Sequence, residues 1–296
     1  MTVTVYLPLL LALPLALGAR WIATRGTPGP AAWTLAVTAA VAALASTWSL
    51  AMLALTMLDD VPPLVALDDS PAVELPEPVP GPVALIAGLL LVAGGIRLAA
   101  DVRRRVTTNR ALRSVGDPGQ DLVIADWPAP MAVAVPGTRR AAGRLLVTTG
   151  ILRLLDAAER EVVLAHERAH LGHRHHRLTA ITAAAAAMNP LLIPVRRAVE
   201  FLAERWADED AAAEVGDRGL AARTVARAAL AASGAGSGTV LGIDGGAAVQ
   251  RVRALSQPTP PPMLARLAGP ILLGVVIVIL VGSATSAFVD LAGAWL

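Results

Sequence analysis

Long apolar runs set the architecture of this chain before any motif is read. Residues 3–19 (VTVYLPLLLALPLALGA) are apolar over about the length that crosses a bilayer. Comparable runs lie within 31–58, at 82–100 and at about 264–287, the last being the most hydrophobic in the chain (ILLGVVIVILVG). With 55% hydrophobic residues and a mean hydropathy of +0.60, the 296-residue chain is more apolar than soluble domains are. The first run has no basic leader segment and no cleavage site, so it reads as a retained span. Pro8 and Pro14 should kink it, which neighbouring helices tolerate in a membrane. Trp33, near one end of the second span, reads as an interface anchor.

Arginine placement orients these four expected spans. Arg20 and Arg25 follow the first, and Arg103, Arg104, Arg105, Arg110 and Arg113 crowd behind the third. Between spans two and three, residues 59–81 carry Asp59, Asp60, Asp68, Asp69, Glu74 and Glu77 with no basic residue. Basic short loops stay cytoplasmic, so the acidic loop, the N-terminus and the short C-terminus are expected outside. Residues 1–113 then form a three-span unit, 114–262 a cytoplasmic domain and 263–296 the fourth span with its tail.

Within that cytoplasmic stretch, 121–126 (DLVIAD), 131–135 (MAVAV) and 144–148 (RLLVT) are β-prone. Pro136-Gly137-Thr138 marks a turn between the second and third, and a small antiparallel sheet is expected. Asp156, with Glu159 three residues on, has capping-box spacing, predicting a helix from about Ala157 to Arg174 or slightly beyond. On it, His166, Glu167 and His170 spell H-E-x-x-H. Residues four apart share a helix face, so both imidazoles can reach one ion, and zinc suits them. Glu167, beside the first His, can take a proton from a water polarised by that ion.

Composition removes several other chemistries. The chain has no Cys, hence no disulfide, thiolate site or Cys nucleophile. All 25 basic residues are Arg, so a P-loop Lys, a Schiff base and the Ser-x-x-Lys acylation motif are absent. A net charge of +2 gives no global basic excess for nucleic acid.

Residues 178–195 (LTAITAAAAAMNPLLIPV) are long and apolar enough to be taken for a further span. Crossing there would put everything downstream on the far side from His166 and His170, beyond reach of a third ligand. A helical hairpin turning at Asn189-Pro190, buried or dipping into the interface, is expected instead. The helix after it, 196–215, carries Glu200, Glu204 and Asp208 on one face. Candidate third ligands are Glu204, Glu200, Glu209 and His176. Farther on, 233–246 reads as a mobile loop and 256–262 (SQPTPPP) as a stiff linker.

H-E-x-x-H at 166–170, Met-Asn-Pro-Leu at 188–191 and E-x-x-A-D at 204–208 together resemble the BlaR/MecR membrane metallopeptidases. The segment VTTGILRLLDAAEREVVLAHERAH is similar to that family and to the related HtpX and CAAX-prenyl-protease group. The resemblance covers about 120–215 by motif and the whole chain by layout. It implies a mainly α membrane protein, with a cytoplasmic α+β, gluzincin-like zinc peptidase domain between spans three and four of four. By the same resemblance Glu204 is the third zinc ligand, and Asp208 orients a ligand His. His176 has the offset of the third metzincin His, but the Gly that pattern requires is replaced by His173, with Gly172 one place early. His173, His175 and His176 read more simply as a basic helix end near anionic headgroups.

The resemblance is to the protease half alone, and a chain without Lys is not expected to build the penicillin-binding sensor's active site. The only Tyr is Tyr6, in the first span, which leaves the oxyanion stabiliser unassigned. The expectation is a bacterial inner-membrane zinc endopeptidase acting on a cytoplasmic or membrane-proximal protein or peptide in signalling. The resemblance makes a transcriptional repressor the target or downstream effector, with no direct contact to nucleic acid. The alternative is a non-enzymatic membrane transducer or scaffold with a structural zinc site.

Overall fold

A computed structural model describes residues 6–55, 79–117, 119–139, 141–234, 244–257 and Gly282. The expected fourth span apart from Gly282, most of the linker before it, most of the acidic loop and the centre of the 233–246 stretch lie outside these residues.

The first apolar run is broken at Leu11, between its two prolines. Helix α1 (Leu7–Leu10) ends at Leu11, and α2 (Ala12–Arg25) carries on past the expected end at residue 19 to Gly26. Helix α3 (Pro28–Leu55) packs antiparallel beside them. Its buried face is made of small residues, Ala32, Ala36, Ala39, Ala43 and Ser46, while Trp33, Val37, Leu44 and Trp48 point outward. Small residues inward and large apolar ones outward is the pattern of helices that pack closely within lipid.

Helix α4 (Gly81–Arg113) repeats that pattern, with Ala84, Ala87 and Gly94 inward and Leu85, Leu89, Val92 and Ile96 exposed. Among the described residues α3 and α4 are long and apolar enough to cross a membrane. The expected third span, 82–100, is only the first part of α4. The arginine-rich segment behind it continues as helix for 13 residues, about 20 Å of rise.

The sheet has order β1-β3-β2, from β1 (Leu122–Ala125), β2 (Ala132–Val135) and β3 (Arg144–Thr148). It is mixed where an antiparallel sheet was expected: β2 and β3 form the hairpin, but β1 pairs with β3 in parallel. The third strand turns back between the first two, and its five residues are all buried. Arg144, at the start of β3, is 6% exposed and donates to the carbonyls of Leu112, Arg113 and Val115 at the end of α4. A guanidinium there satisfies carbonyls that the helix leaves free and complements its negative end.

After the short α5 (Thr149–Leu154), α6 (Ala157–Gly172) opens on the expected capping box, with Glu159 N–H donating to Asp156 at 2.9 Å and Asp156 N–H to Glu159 at 3.0 Å. It stops earlier than its pattern foretold. Arg174 takes a left-handed conformation (φ 55°) and re-aims the chain into α7 (His175–Met188). The 178–195 run is indeed a hairpin: α7, the turn at Asn189, a 3-10 turn (Pro190–Leu192) and α8 (Ile193–Val215). Its tip is pinned to the outer bundle. The Asn189 side chain donates to Ser46 at 3.0 Å, Arg97 to the Ala187 carbonyl at 2.9 Å, and Gly94 lies against the Met188 backbone. Gly94 is six residues before the end of the apolar stretch, which puts the tip about 9 Å inside it. Leu191 and Ile193 are exposed at that depth.

One core unites α2, α3, α7 and α8, with Leu35, Leu178, Leu192, Val195, Val199 and Leu202 at 0–1% exposure. A second joins α6 and α8 to α9 (Arg218–Gly234) and α10 (Asp244–Leu255).

Candidate metal centre

Two helices build the centre. Helix α6 brings His166 and His170 to one face, and α8, crossing it, supplies Glu204 from the part of the helix beyond the hairpin. The ligand atoms of these three residues lie within 4.8 Å of one another. His166 Nε2 and His170 Nε2 are 3.1 Å apart, and each is 3.5 Å from a Glu204 oxygen. A tetrahedral ion with bonds of about 2.0–2.1 Å has ligand atoms about 3.3 Å apart, so the triad has the spacing such an ion needs. Glu204 keeps 40% side-chain exposure, which leaves the centre open on one side.

Each imidazole is held from behind. Asp208, one turn after Glu204, meets His166 Nδ1 at 3.0 Å. That fixes Nε2 of His166 toward the triad. His175 Nδ1 lies 3.0 Å from His170 Nδ1 and does the same for the second ring. Asp208 is in turn gripped by Arg251 of α10 through two hydrogen bonds of 2.7 Å, and Arg251 reaches Glu204 at 3.0 Å. A carboxylate only 2% exposed needs such partners, because an unpaired buried charge is costly.

Electrostatics follows from this packing. Burial works against charge on His166, but Asp208 and Glu204 outweigh it and push its pKa up to about 10. For His170 burial outweighs the pull of Glu204 and takes the pKa down to about 4, and burial takes His175 down to about 3. Burial pushes Glu167 up from the ordinary carboxylate range. Its carboxylate accepts the Ala134 N–H at 2.7 Å from the free edge of β2. Glu204 and Asp208 sit low despite burial, held there by His166 and by Arg251.

The remaining sequence candidates fall elsewhere. Glu200 pairs with Arg196 at 2.8 Å, and Glu209 with Arg218. His176 lines a separate cavity beside the β2–β3 turn. The basic-helix-end reading fails for His175, which is 1% exposed. It fails for His173 too, which meets Asp210 at 2.5 Å and stacks on Trp206 with ring centroids 4.0 Å apart. Trp206 also seats the start of α3, where a Cβ on Gly29 would stand 2.9 Å from the indole. Sequence reasoning missed Arg251, His175 and the Ala134 amide. Only the charge imbalance of Glu204 plus Asp208 signalled a missing cation, without saying where it came from.

Residues 99–184 match the model of peptidase family M48. Over 86 residues the chain is 42% identical to a protease HtpX homolog of Pelotomaculum thermopropionicum. The aligned part is 29% of this chain and 28% of that relative, so the chain spans little more than a quarter of its length. No solved structure matches. The matched stretch holds the end of α4, the sheet and the H-E-x-x-H helix, and stops before Glu204. Of the resemblances read in the sequence, the HtpX side is the one these matches support, and across residues 99–184 the chain is similar to the M48 metallopeptidases.

Proposed function

We propose that the chain is an integral-membrane zinc-dependent endopeptidase in which His166, His170 and Glu204 hold the ion and Glu167 is the general base. The observation that carries this reading is the convergence of three ligand atoms at tetrahedral spacing beside a half-buried carboxylate, Glu167, that is not among them. A zinc ion held by these residues would supply Lewis-acid polarisation of a scissile carbonyl and would acidify a water. Glu167 takes the proton from that water and passes it to the leaving amine. Asp208 and His175 keep the two imidazoles in their working orientation, and Arg251 balances the charge of the two carboxylates.

Among the described residues β2 is an edge strand whose Ala134 N–H faces α6, and an extended peptide pairs with such an edge through its backbone. Along α8, Glu204 is 11 residues, about 16 Å, from the submerged hairpin tip. The site therefore lies close to the membrane surface, which favours a membrane-proximal substrate. Arginine placement makes that the cytoplasmic face, and the four-span layout follows the apolar runs. A signalling role with a transcriptional repressor in the pathway is the context that the resemblance supplies.

The test is Glu167→Gln, which keeps side-chain size but removes the proton acceptor. The variant should retain zinc while peptide cleavage falls by roughly two to four orders of magnitude. A variant that cleaves as well as wild type would falsify the assignment of the base. Full pathway output from an inactive variant in cells would favour a zinc-bearing scaffold.

A further inference from the structure

About one turn of α6 beyond the metal centre, where Leu171 meets the β2–β3 connection, lies a cavity of about 580 Å³ whose ionisable lining is entirely basic. Arg139 comes from the β2–β3 connection, Arg174 from the left-handed joint between α6 and α7, and Arg177 and His176 from the first turn of α7. No carboxylate lines it, and none of the three arginines makes an ion pair with a described residue. Elsewhere in this domain arginines that reach inward have found partners: Arg144, Arg218, Arg227 and Arg251 all have them. Arg139, Arg174 and Arg177 are all exposed around this one cavity, and three guanidiniums with no carboxylate in the lining suit an anion brought from outside.

The direction of β2 against α6 says what brings it. Ala134 of β2 faces Glu167 of α6, and one turn farther along α6, Leu171 faces Gly143, where a Cβ would stand 3.1 Å from the Leu171 side chain. The strand and the helix therefore run the same way, and the cavity lies on the line that a peptide paired with β2 would follow. An antiparallel peptide leaves the metal centre toward this cavity with its N-terminal side. At about 3.3 Å per residue, the distance from Ala134 to Thr138 corresponds to three to five substrate residues. The wall formed by the β2–β3 connection is held by Arg113, which donates to the Ala142 carbonyl at 3.2 Å. Arg113 ends α4 about 20 Å along its axis beyond the apolar stretch, past a headgroup layer roughly 6 Å deep. That height favours a peptide over a lipid.

We infer that Arg139, Arg174 and Arg177 form a specificity subsite for an acidic side chain, Asp or Glu, three to five residues upstream of the scissile bond. This rests on the peptidase reading, so its test needs a readout that does not depend on cleavage. Labelled peptides carrying Glu or Gln at successive positions on both sides of the bond are bound to zinc-loaded, full-length Glu167→Gln protein, and followed by fluorescence anisotropy. The same peptides are given to the active enzyme. Glu at the upstream positions should tighten binding and raise kcat/KM about five- to thirtyfold over Gln, the worth of a charge-assisted contact at a half-open site. In R139E/R177E the preference should reverse toward Lys. A Glu advantage at no position, or only downstream, overturns the subsite. So does R139E/R177E losing affinity for phosphatidylglycerol vesicles while its peptide preference stays unchanged. If anisotropy shows the Glu preference and no peptide is cut, the subsite stands and the peptidase reading falls.

Discussion

At the scale of single residues, the charge state of His166 has the most direct consequence. Its pKa near 10, sustained by Asp208 and Glu204, means that the metal-free protein carries a proton where the proposed zinc would bind. Zinc uptake at pH 7 should release about one proton, with the release fading as pH approaches 10. Calorimetry in two buffers of different ionisation enthalpy measures this, and uptake without proton release would contradict it. The folded-state pKa lies above the ordinary 6.5, so the ion pair stabilises the metal-free protein fully below that value. The contribution is then lost as pH rises toward 10. Asp208→Asn should remove most of the proton release and weaken zinc binding by about 10- to 100-fold. Helical spacing and the H-E-x-x-H motif put His166, Glu167 and His170 forward, while the choice of Glu204 among the third-ligand candidates and the role of Asp208 came from the family resemblance. Arg251 was not legible: it arrives from 43 residues beyond Asp208, and nothing local marks it.

Elements divide by whether their signal is local. The capping box of α6 was readable because it is a contact between residues three apart, and it forms as expected. Asp156→Ala should cost about 1 kcal/mol. A lowered thermal midpoint with unchanged zinc content would register it, and no shift would mean that Glu159, also bonded to Arg227 at 2.8 Å, holds the helix start alone. The β2–β3 hairpin was readable in the same way from Pro136-Gly137. The parallel pairing of β1 with β3 was not, since alternation of residues reveals the face of a strand and never its neighbour. The end of α6 was hidden too. Nothing in Gly172-His173-Arg174 distinguishes a helix that continues from one broken by a left-handed arginine.

The whole molecule is less divisible than its hydropathy profile. Apolar runs announce helices, but an alanine face turned to lipid and one turned to protein read alike. The face of α3 turns out to cover the hairpin that carries Glu204. A fragment of residues 114–257 would uncover Leu178, Leu192, Val195 and Leu202, each at 0% exposure. At roughly 1.5–3 kcal/mol per side chain the loss is of the order of a domain's entire stability. Such a fragment should fail to fold, giving no cooperative thermal transition and no stoichiometric zinc; a folded, zinc-retaining monomer would refute this. The same continuity makes α8 a lever arm. Its start, at Ile193, is exposed where lipid would lie, and its 11-residue reach ends at a ligand. A tilt of about 10° about the tip displaces the Glu204 carboxylate by about 3 Å, more than the length of a zinc–oxygen bond. On the proposed reading, a change in bilayer thickness or lateral tension that tilted α8 would therefore be felt first at Glu204.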